Sequence, residues 1–341
     1  MFDTLTYYMS LVREYNYIPG PVNEPPSLYA IKPDFKNVVF EEVSQQLVSH
    51  ISTAADCSQI SVENVSINGF DAFIIDGVLS SDECSTLCHK IDDCGQLSFW
   101  STLGRGNDEA RNFRNADTIE FDNRKLSNIL WDRIKEHINL RSITITDDQN
   151  NPSYERDLVG RWKPCAVNHN FLVARYSSGG HFSPHTDGRA INDFNHRSFY
   201  SGIIYLNDIP RGCGGDTRFF RPEALDSLSK KDMGSSFCGW TADASFILAN
   251  IQPVVGRMLL FDQALVHEGG PPDEPYTKYI IRTDIIFERT PPLFCSAVEQ
   301  QAYQMFRSAE LLGERGDHDA SIKLFKRAFK LSPPLAHFMG H

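Results

Sequence analysis

The stretch FLVARYSSGGHFSPHTDG, residues 171–188, joins an apolar run to a Gly-Gly turn and then to a histidine and an aspartate. His185 and Asp187 are two residues apart, so in an extended segment both side chains point to the same side of the chain. A turn that contains two glycines also lets the backbone approach another segment closely. The stretch therefore predicts two ligands of a metal site at the end of a strand.

A third ligand is expected on a later strand that returns to the same place. The run VVGRMLLFDQALVHEGG, residues 254–270, supplies His267 after a second apolar segment. Two histidines and one carboxylate occupy one face of a metal and leave its other positions open, which is typical of non-haem Fe(II) oxygenases. His181 precedes His185 with the spacing of a helical zinc motif, but two glycines flank this segment and a proline interrupts it, which excludes a regular helix.

The composition is that of an ordinary globular protein. Of 341 residues, 41% are hydrophobic and 23% are charged. The net charge of -11 argues against nucleic acid or an anionic membrane as partner, because either requires a basic surface. The N-terminus lacks the basic and apolar segments of a secretory signal, and no apolar run approaches the length of a membrane span. We expect a soluble, cytoplasmic protein that is a monomer or homodimer.

Three regions are predicted along the chain. Residues 1–64 contain a proline-rich arm and a helical segment that we expect to pack on the core. Residues 65–290 form the catalytic domain, and residues 291–341 read as two amphipathic helices around a Gly-Asp turn, close to a single tetratricopeptide unit. Because about three such repeats are needed for independent stability, the pair is expected to cover an edge of the core or a dimer surface.

The central region is expected to be mainly β with flanking helices. Apolar segments follow one another from residue 161 to residue 287, and they are joined by turns rather than by helices, which indicates antiparallel pairing. A double-sheet jelly roll is the preferred architecture. Helices are predicted from Ser81, where Ser80 is a candidate N-cap, and again over residues 125–138.

Five motifs in the central region resemble those of Fe(II)- and 2-oxoglutarate-dependent dioxygenases of the prolyl 4-hydroxylase-like group, in that family's order. They are RYSSGGHFSPHTDG, RSFYSGIIYLND, GCGGDTRFF, VHEGGPP and KYIIRTDIIF. The resemblance implies a double-stranded β-helix, cupin-like in fold, with Fe(II) held by His185, Asp187 and His267. It also implies 2-oxoglutarate and O2 as co-substrates, ascorbate as reductant, and release of succinate and CO2 as a substrate C–H bond is oxidised, by default to a hydroxyl group.

The distal carboxylate of 2-oxoglutarate requires a buried cation, since an unpaired carboxylate is strongly disfavoured in an apolar barrel. Lys278 and Arg282 are four residues apart on one predicted strand and share a face. Collagen-type prolyl hydroxylases use a lysine after the distal histidine, and related dioxygenases use an arginine slightly further on. Arg282 is preferred here, because its fork binds a carboxylate bidentately, and Lys278 is the alternative. Tyr176 and Tyr205 correspond to family tyrosines that hydrogen-bond 2-oxoglutarate.

The primary substrate is less well specified. Candidate substrate contacts are the polar, basic and aromatic residues close to the metal motif in sequence: Asn168, Arg175, Arg189, Arg197 and Trp162. A group of arginines near iron favours an anionic substrate such as an amino acid, although each could equally be a solvent-facing charge. The loop of residues 105–114 is a candidate cover for the site.

Several functions remain open. The substrate is a peptidyl residue or a free amino-acid-like small molecule of specialised metabolism, and the reaction is hydroxylation, desaturation or oxidative cyclisation. A different class of function is an inactive scaffold that binds a protein through the C-terminal helices. The complete ligand set and the nearby cations favour an enzyme.

Overall fold

The computed structural model describes residues 44, 48–52, 60–95, 97–99, 108–147, 155–232, 238–314 and 316–341. Nearly all of the predicted N-terminal arm and helix, and the first three residues of the predicted 105–114 cover, lie outside the described residues. The rest of that cover forms a short helix and a two-residue strand. Within the described part of the chain, no helix is long and apolar enough to cross a membrane.

Strands dominate the described chain, and helices lie at its flanks. The strands are β1 (Ser61–Ile67), β2 (Phe70–Asp76), β3 (Ser98–Phe99), β4 (Arg114–Asn115), β5 (Asp117–Asp122), β6 (Ile143–Ile145), β7 (Gly160–Val167), β8 (Asn170–Tyr176), β9 (His181–His185), β10 (His196–Tyr205), β11 (Thr217–Phe220), β12 (Ser229–Asp232), β13 (Cys238–Thr241), β14 (Ile247–Ile251), β15 (Met258–Asp262), β16 (Val266–Gly269) and β17 (Lys278–Thr290). The helices are α1 (Ser81–Asp93), α2 (Asp108–Phe113), α3 (Arg124–Ile134), α4 (Ala297–Glu314), α5 (His318–Leu331) and α6 (Pro333–Phe338), with 3-10 turns at Arg156–Leu158, Pro222–Ser227 and Ala244–Phe246.

The chain divides into two compact units, of which the first comprises Met1–Ile138, Val167–Gly188 and Tyr200–Asp284. Its larger sheet has the order β1-β2-β15-β10-β17-β8-β5-β3, and its smaller sheet has the order β14-β11-β16-β9-β4. From β8 to β11, successive strands alternate between the larger and the smaller sheet, and from β14 to β17 they alternate again. The two runs are linked within the smaller sheet, where β11 and β14 are neighbours. This is the winding of a double-stranded β-helix, so the predicted mainly β fold is confirmed.

The interior of this unit is an apolar cluster that draws side chains from both sheets. Tyr176, Tyr205 and Phe261 come from the larger sheet, whereas Phe219 and Ile251 come from the smaller one. The alternation of strand side chains between two faces places these residues inward and their sequence neighbours outward. The inward faces of both sheets thus form the wall of the barrel.

Two helices of this unit begin at side-chain caps. Ser80 and Glu83 form a capping box that satisfies free backbone N–H groups at the start of α1, as predicted. Asn123 caps α3 by accepting a hydrogen bond from Leu126 N. Arg133 of α3 donates to both carboxylate oxygens of Glu83, at 2.8 and 2.9 Å, and therefore ties the two helices together.

The second unit comprises Asn139–Ala166, Arg189–Phe199 and Ile285–His341. In it β6 pairs with β7, β7 pairs with β17, and α4, α5 and α6 share an apolar cluster with Phe194. Two of the residues at predicted tetratricopeptide positions, Ala309 and Ala328, are fully buried. The C-terminal helices thus pack on other segments of their own unit. The three-region division at 64 and 290 stays a prediction.

Candidate metal centre

Strands β9 and β16 of the smaller sheet bring the three predicted ligands together. The antiparallel register places His267 directly opposite His185, and the potential ligand atoms of these two residues and Asp187 lie within 4.8 Å of one another. Nε2 of His185 is 3.6 Å from Asp187 Oδ1, and Nε2 of His267 is 3.7 Å from Asp187 Oδ2. Side chains separated by 82 residues of sequence therefore converge on one point.

A β-bulge and a glycine turn orient His185. Three residues of β16, from His267 to Gly269, face four residues of β9, from His185 to Phe182. The extra residue turns Phe182 and His185 toward the same face, and their rings stack with centroids 3.6 Å apart. Before β9, Gly179 has a φ of 73°, and a Cβ on Gly180 would lie 2.8 Å from the carbonyl oxygen of Ser177. The predicted Gly-Gly turn therefore depends on both glycines.

Backbone carbonyls fix the orientation of both imidazoles. Nδ1 of His185 lies 2.7 Å from Ser183 O, and Nδ1 of His267 lies 3.0 Å from Leu265 O. A carbonyl only accepts hydrogen bonds, so each Nδ1 carries the proton and each Nε2 keeps its lone pair. This arrangement is typical of metal-binding histidines. Burial also lowers the pKa of His267 to about 4, which keeps this ring neutral at neutral pH.

Asp187 is held ionised by its surroundings. Ser201 Oγ donates to Asp187 Oδ2 at 2.5 Å, and Arg282 Nη2 is 3.6 Å from the same oxygen. Burial alone would raise the pKa of this carboxyl group, but the charge of Arg282 helps to hold it well below its usual range. Two imidazole nitrogens and one carboxylate oxygen, all turned to one buried point, fit an Fe(II) ion with open coordination positions.

Lys278 lies inside the barrel on β17, opposite Tyr176 of β8. Its side chain is almost fully buried, and Nζ donates to the carbonyl oxygens of Gly215 and Gly270 at 2.9 and 3.2 Å. Nζ also lies 4.6 Å from the centroid of the Tyr176 ring. Burial lowers the pKa of Lys278 to about 7, although the charges of Asp216 and Glu268 oppose that effect. The barrel thus contains a desolvated amine whose nearby charges include Asp216, Glu268 and Arg218.

The two predicted tyrosines line the same interior. Tyr205 is fully buried and its hydroxyl donates to Thr217 Oγ1 at 2.7 Å. Tyr176 is also buried, and burial raises the pKa of its phenol, while a hydrogen bond and the charge of Arg114 act in the opposite direction. Both phenols stay protonated at neutral pH; the Tyr176 hydroxyl can donate a hydrogen bond to an anion, whereas Tyr205 would have to turn its hydroxyl away from Thr217 to do so.

Arg282 occupies a different environment from Lys278. Its side chain is 30% exposed, and its guanidinium contacts Asp284 at 3.0 Å and Asp187 at 3.6 Å. The structure therefore separates two cations that the sequence placed on one strand face. Lys278 lies among buried tyrosines, and Arg282 lies beside a metal-ligand candidate.

The five predicted substrate contacts do not form one cluster. In the first unit, Asn168 donates to Asp284 at 3.2 Å, and Arg175 forms ion pairs with Asp92 and Asp117 at 3.0 and 2.9 Å. Arg175 belongs to β8 next to inward-facing Tyr176, so its side chain points away from the barrel interior. Both residues have structural partners that account for their polar groups.

The other three belong to the second unit and have partners within it. Arg189 pairs with Glu155 at 3.1 Å. Arg197 is fully buried and pairs with Asp157 at 2.5 Å, and Trp162 is also fully buried. Neither Arg197 nor Trp162 exposes side-chain surface, so a contact of either residue with substrate stays a prediction. These residues lie close to the metal motif in sequence, but their polar groups are engaged by other residues of the second unit.

Two residues that contact the site, Ser201 and Phe182, escaped the sequence analysis. A third, Arg114, is the last residue of the predicted 105–114 cover, and its guanidinium carbon lies 4.7 Å from the centroid of the Phe182 ring. A serine within the apolar run of β10 was the available signal for Ser201. Arg114 reaches the site because β4 pairs with β9, and no local pattern predicts that pairing.

Comparison with known proteins finds one family model that matches part of the barrel. Residues 171–283 match the model described as the 2OG-Fe(II) oxygenase superfamily. No curated protein sequence matches the chain. The matched residues include all three potential metal ligands and both candidate anchor cations.

Solved structures with distant similarity include three prolyl hydroxylases. The viral collagen prolyl hydroxylase of Paramecium Bursaria Chlorella virus-1 is 17% identical and covers 69% of this chain and 99% of its own, with a TM-score of 0.35. A Pseudomonas putida prolyl-4-hydroxylase is 13% identical and covers 72% and 98%, with a TM-score of 0.36. A Trichoplax adhaerens prolyl hydroxylase, in complex with a hypoxia inducible factor oxygen degradation domain peptide fragment, is 14% identical and covers 78% and 94%, with a TM-score of 0.37. Likenesses this distant support no conclusion about substrate.

Proposed function

We propose that the chain is an Fe(II)- and 2-oxoglutarate-dependent dioxygenase, because residues 171–283 match the 2OG-Fe(II) oxygenase superfamily and contain the three candidate metal ligands. His185, Asp187 and His267 hold Fe(II), and Lys278 anchors 2-oxoglutarate. The substrate is an amino-acid-like molecule or a peptidyl residue, which is hydroxylated at carbon. The single observation that carries the assignment of ligands is the convergence of three ligand atoms within 4.8 Å.

The bound iron supplies the redox chemistry that couples decarboxylation of 2-oxoglutarate, with O2, to oxidation of a C–H bond. The protein supplies the ligands, the orientation and the exclusion of water. The carbonyls of Ser183 and Leu265 keep the histidine lone pairs directed inward. Phe182, stacked on His185, covers one side of that ring with an apolar surface.

Lys278 is the better anchor for the distal carboxylate of 2-oxoglutarate, which reverses the preference drawn from sequence. An ammonium group has three N–H donors, and main-chain carbonyls accept two of those of Lys278. The third is available to a carboxylate between the rings and hydroxyl groups of Tyr176 and Tyr205. A buried amine whose pKa is near 7 regains its full charge when an anion binds beside it.

The guanidinium of Arg282 is less suited to this task. Its fork already contacts both oxygens of Asp284, at 3.0 and 3.3 Å. A second carboxylate would have to displace this partner or bind at the exposed edge of the guanidinium. The contacts of Arg282 thus favour a role other than anchoring 2-oxoglutarate.

Amino-acid-like and peptidyl substrates remain the two substrate classes of this proposal. Of the three arginines that favoured a free amino acid, Arg197 is fully buried, and Arg175 and Arg189 are engaged in ion pairs, so that argument is weaker than the sequence indicated. Arg114, beside Phe182 and Tyr176, is a cation close to the site, and its charge is compatible with a substrate that carries an anionic group. Desaturation or cyclisation of an amino-acid derivative is the alternative outcome. A cytoplasmic location and a monomeric or homodimeric state stay predictions.

The decisive test measures succinate formed from 2-oxoglutarate in the presence of Fe(II), O2 and ascorbate, with panels of free amino acids and of peptides. We expect turnover that one panel stimulates, together with a mass gain of one oxygen atom in the stimulating compound. Asp187→Ala should lose metal binding, measured with Co(II), as well as turnover. Tight Co(II) binding by this variant would contradict the ligand assignment, and a wild-type protein without any succinate formation would favour the scaffold alternative.

A further inference from the structure

We propose that Arg282 is a positioning residue that fixes how Asp187 presents its carboxylate to the metal. This inference rests on the proposed function, because it takes Asp187 to be a ligand. Arg282 connects two carboxylates of the first unit, one beside the metal point and one buried behind it. Its role is thus separate from co-substrate binding.

The bridge formed by Arg282 is defined by three contacts. Nη2 lies 3.0 Å from Asp284 Oδ1 and 3.6 Å from Asp187 Oδ2, and Nη1 donates to Asp284 Oδ2 at 3.3 Å. Arg282 and Asp284 are two residues apart on β17, so their side chains share one face of the strand. A planar guanidinium suits this geometry, since it presents several N–H groups in a fixed plane to two acceptors at once.

Asp284 is itself immobilised by two amides. Asn168 Nδ2 donates to Asp284 Oδ2 at 3.2 Å, and Gln263 Nε2 donates to Asp284 Oδ1 at 2.9 Å. The backbone of the same region is closed by a hydrogen bond from Asn168 N to Asp284 O at 2.7 Å. Asp284 is fully buried, so it is a fixed point from which Arg282 extends toward the metal centre.

The same network reaches the backbone of Asp187. Asp187 N donates to the main-chain oxygen of Gln263 at 3.1 Å, and the Gln263 side chain holds Asp284. The backbone and the side chain of Asp187 are therefore tied to one set of residues. A shift of Arg282 would change the orientation of the Asp187 carboxylate but would leave the hydrogen bond from Asp187 N to Gln263 O in place.

The consequence is an unequal pair of oxygens on Asp187. Each oxygen faces one histidine, Oδ1 at 3.6 Å from Nε2 of His185 and Oδ2 at 3.7 Å from Nε2 of His267, but Oδ2 also accepts a hydrogen bond from Ser201 Oγ at 2.5 Å and faces Arg282. An oxygen that is engaged by a hydroxyl and a cation donates poorly to a metal, so Oδ1 would be the ligand atom. Binding through one oxygen leaves more coordination positions open for 2-oxoglutarate and O2. Arg282 thus limits Asp187 to one metal bond.

The test uses Co(II) bound to the full chain in place of iron, because its d–d absorption reports coordination number and geometry without turnover. Arg282→Gln is compared with wild type and with Arg257→Gln, which removes an arginine that binds Asp76 through both carboxylate oxygens at 2.6 and 3.0 Å. We expect Arg282→Gln to weaken Co(II) binding by about tenfold to a hundredfold, the usual effect of losing a partner of a metal ligand, and to change the d–d spectrum. Arg257→Gln should match wild type in both respects.

Two further variants separate positioning from simple loss of packing. Arg282→Lys keeps the charge but not the fork, and it should restore most of the affinity while the spectrum stays altered. Asp284→Asn keeps the size of every side chain in the bridge but weakens the anchor of Arg282, so its spectrum should change in the same direction as that of Arg282→Gln and by less. The same affinity and spectrum in wild type and Arg282→Gln would overturn the inference. Failure of the wild-type protein to bind Co(II) would instead overturn the proposed function.

Discussion

Replacement of Lys278 by methionine should selectively remove the affinity for 2-oxoglutarate. Lys278 is only 2% exposed, and methionine retains an unbranched apolar stem in the same space. In the variant, the distal carboxylate of the co-substrate would enter a buried pocket without its cation. Removal of one partner of a buried ion pair costs ~3–5 kcal/mol. Since ~1.4 kcal/mol corresponds to a tenfold change, the Kd for 2-oxoglutarate should rise about a hundredfold to several thousandfold.

The binding constant is best measured directly, by calorimetric titration of 2-oxoglutarate into protein loaded with a redox-inert divalent metal and without primary substrate. Co(II) affinity serves as a control, because Lys278 has no contact with the three ligand candidates. The loss of the donors to the Gly215 and Gly270 carbonyls is checked by thermal unfolding of the variant. A Kd for 2-oxoglutarate within about threefold of the wild-type value, a difference of under ~1 kcal/mol, would refute the anchor assignment.

Three further outcomes follow from the same structure. Burial lowers the pKa of Lys278 to about 7, and a bound carboxylate raises it again. The binding of 2-oxoglutarate should therefore be strongest below pH 7 and weaken by up to about tenfold per pH unit above it. Calorimetric titrations across this pH range measure the dependence, which the Lys278→Arg variant should abolish. Arg197→Met leaves the buried Asp157 without its cation and should lower the free energy of unfolding of its unit by ~3–5 kcal/mol in urea titrations, and an unchanged midpoint would contradict the buried pair. Arg175→Met removes only partly exposed ion pairs with Asp92 and Asp117, so it should cost no more than ~1 kcal/mol and leave succinate formation unchanged; a large rise in the KM of substrate would restore its predicted role.

Local sequence was a good guide to the metal ligands. His185 and Asp187 are close neighbours in the chain, and the apolar run before His267 predicts a strand that returns beside them. The ligand spacing and the glycine turn carry this information because both act within a few residues. The capping box of α1 was predictable for the same reason, since Ser80 and Glu83 are three residues apart.

Local sequence did not reveal the burial and the partners of the predicted substrate residues. Arg197 and Trp162 lie near the metal motif in the chain, yet both are buried, and the partners of Arg197 include Asp157 and Tyr303. Tyr303 is more than a hundred residues further along. Sequence alone does not identify the ion-pair partner of an arginine, because that partner has no fixed spacing along the chain. A charged residue near the metal motif can therefore be mistaken for a substrate contact.

The two cations of β17 show what each level of structure determined. Sequence alone established that Lys278 and Arg282 share a strand face after the third ligand, because strand side chains alternate with a period of two. Four residues along a strand separate them by about 13 Å, and alternation does not reveal which end is deep in the barrel. Only the tertiary structure placed Lys278 among buried tyrosines and Arg282 between two carboxylates. Depth and charge pairing depend on contacts between distant strands, which the order of residues within one strand does not contain.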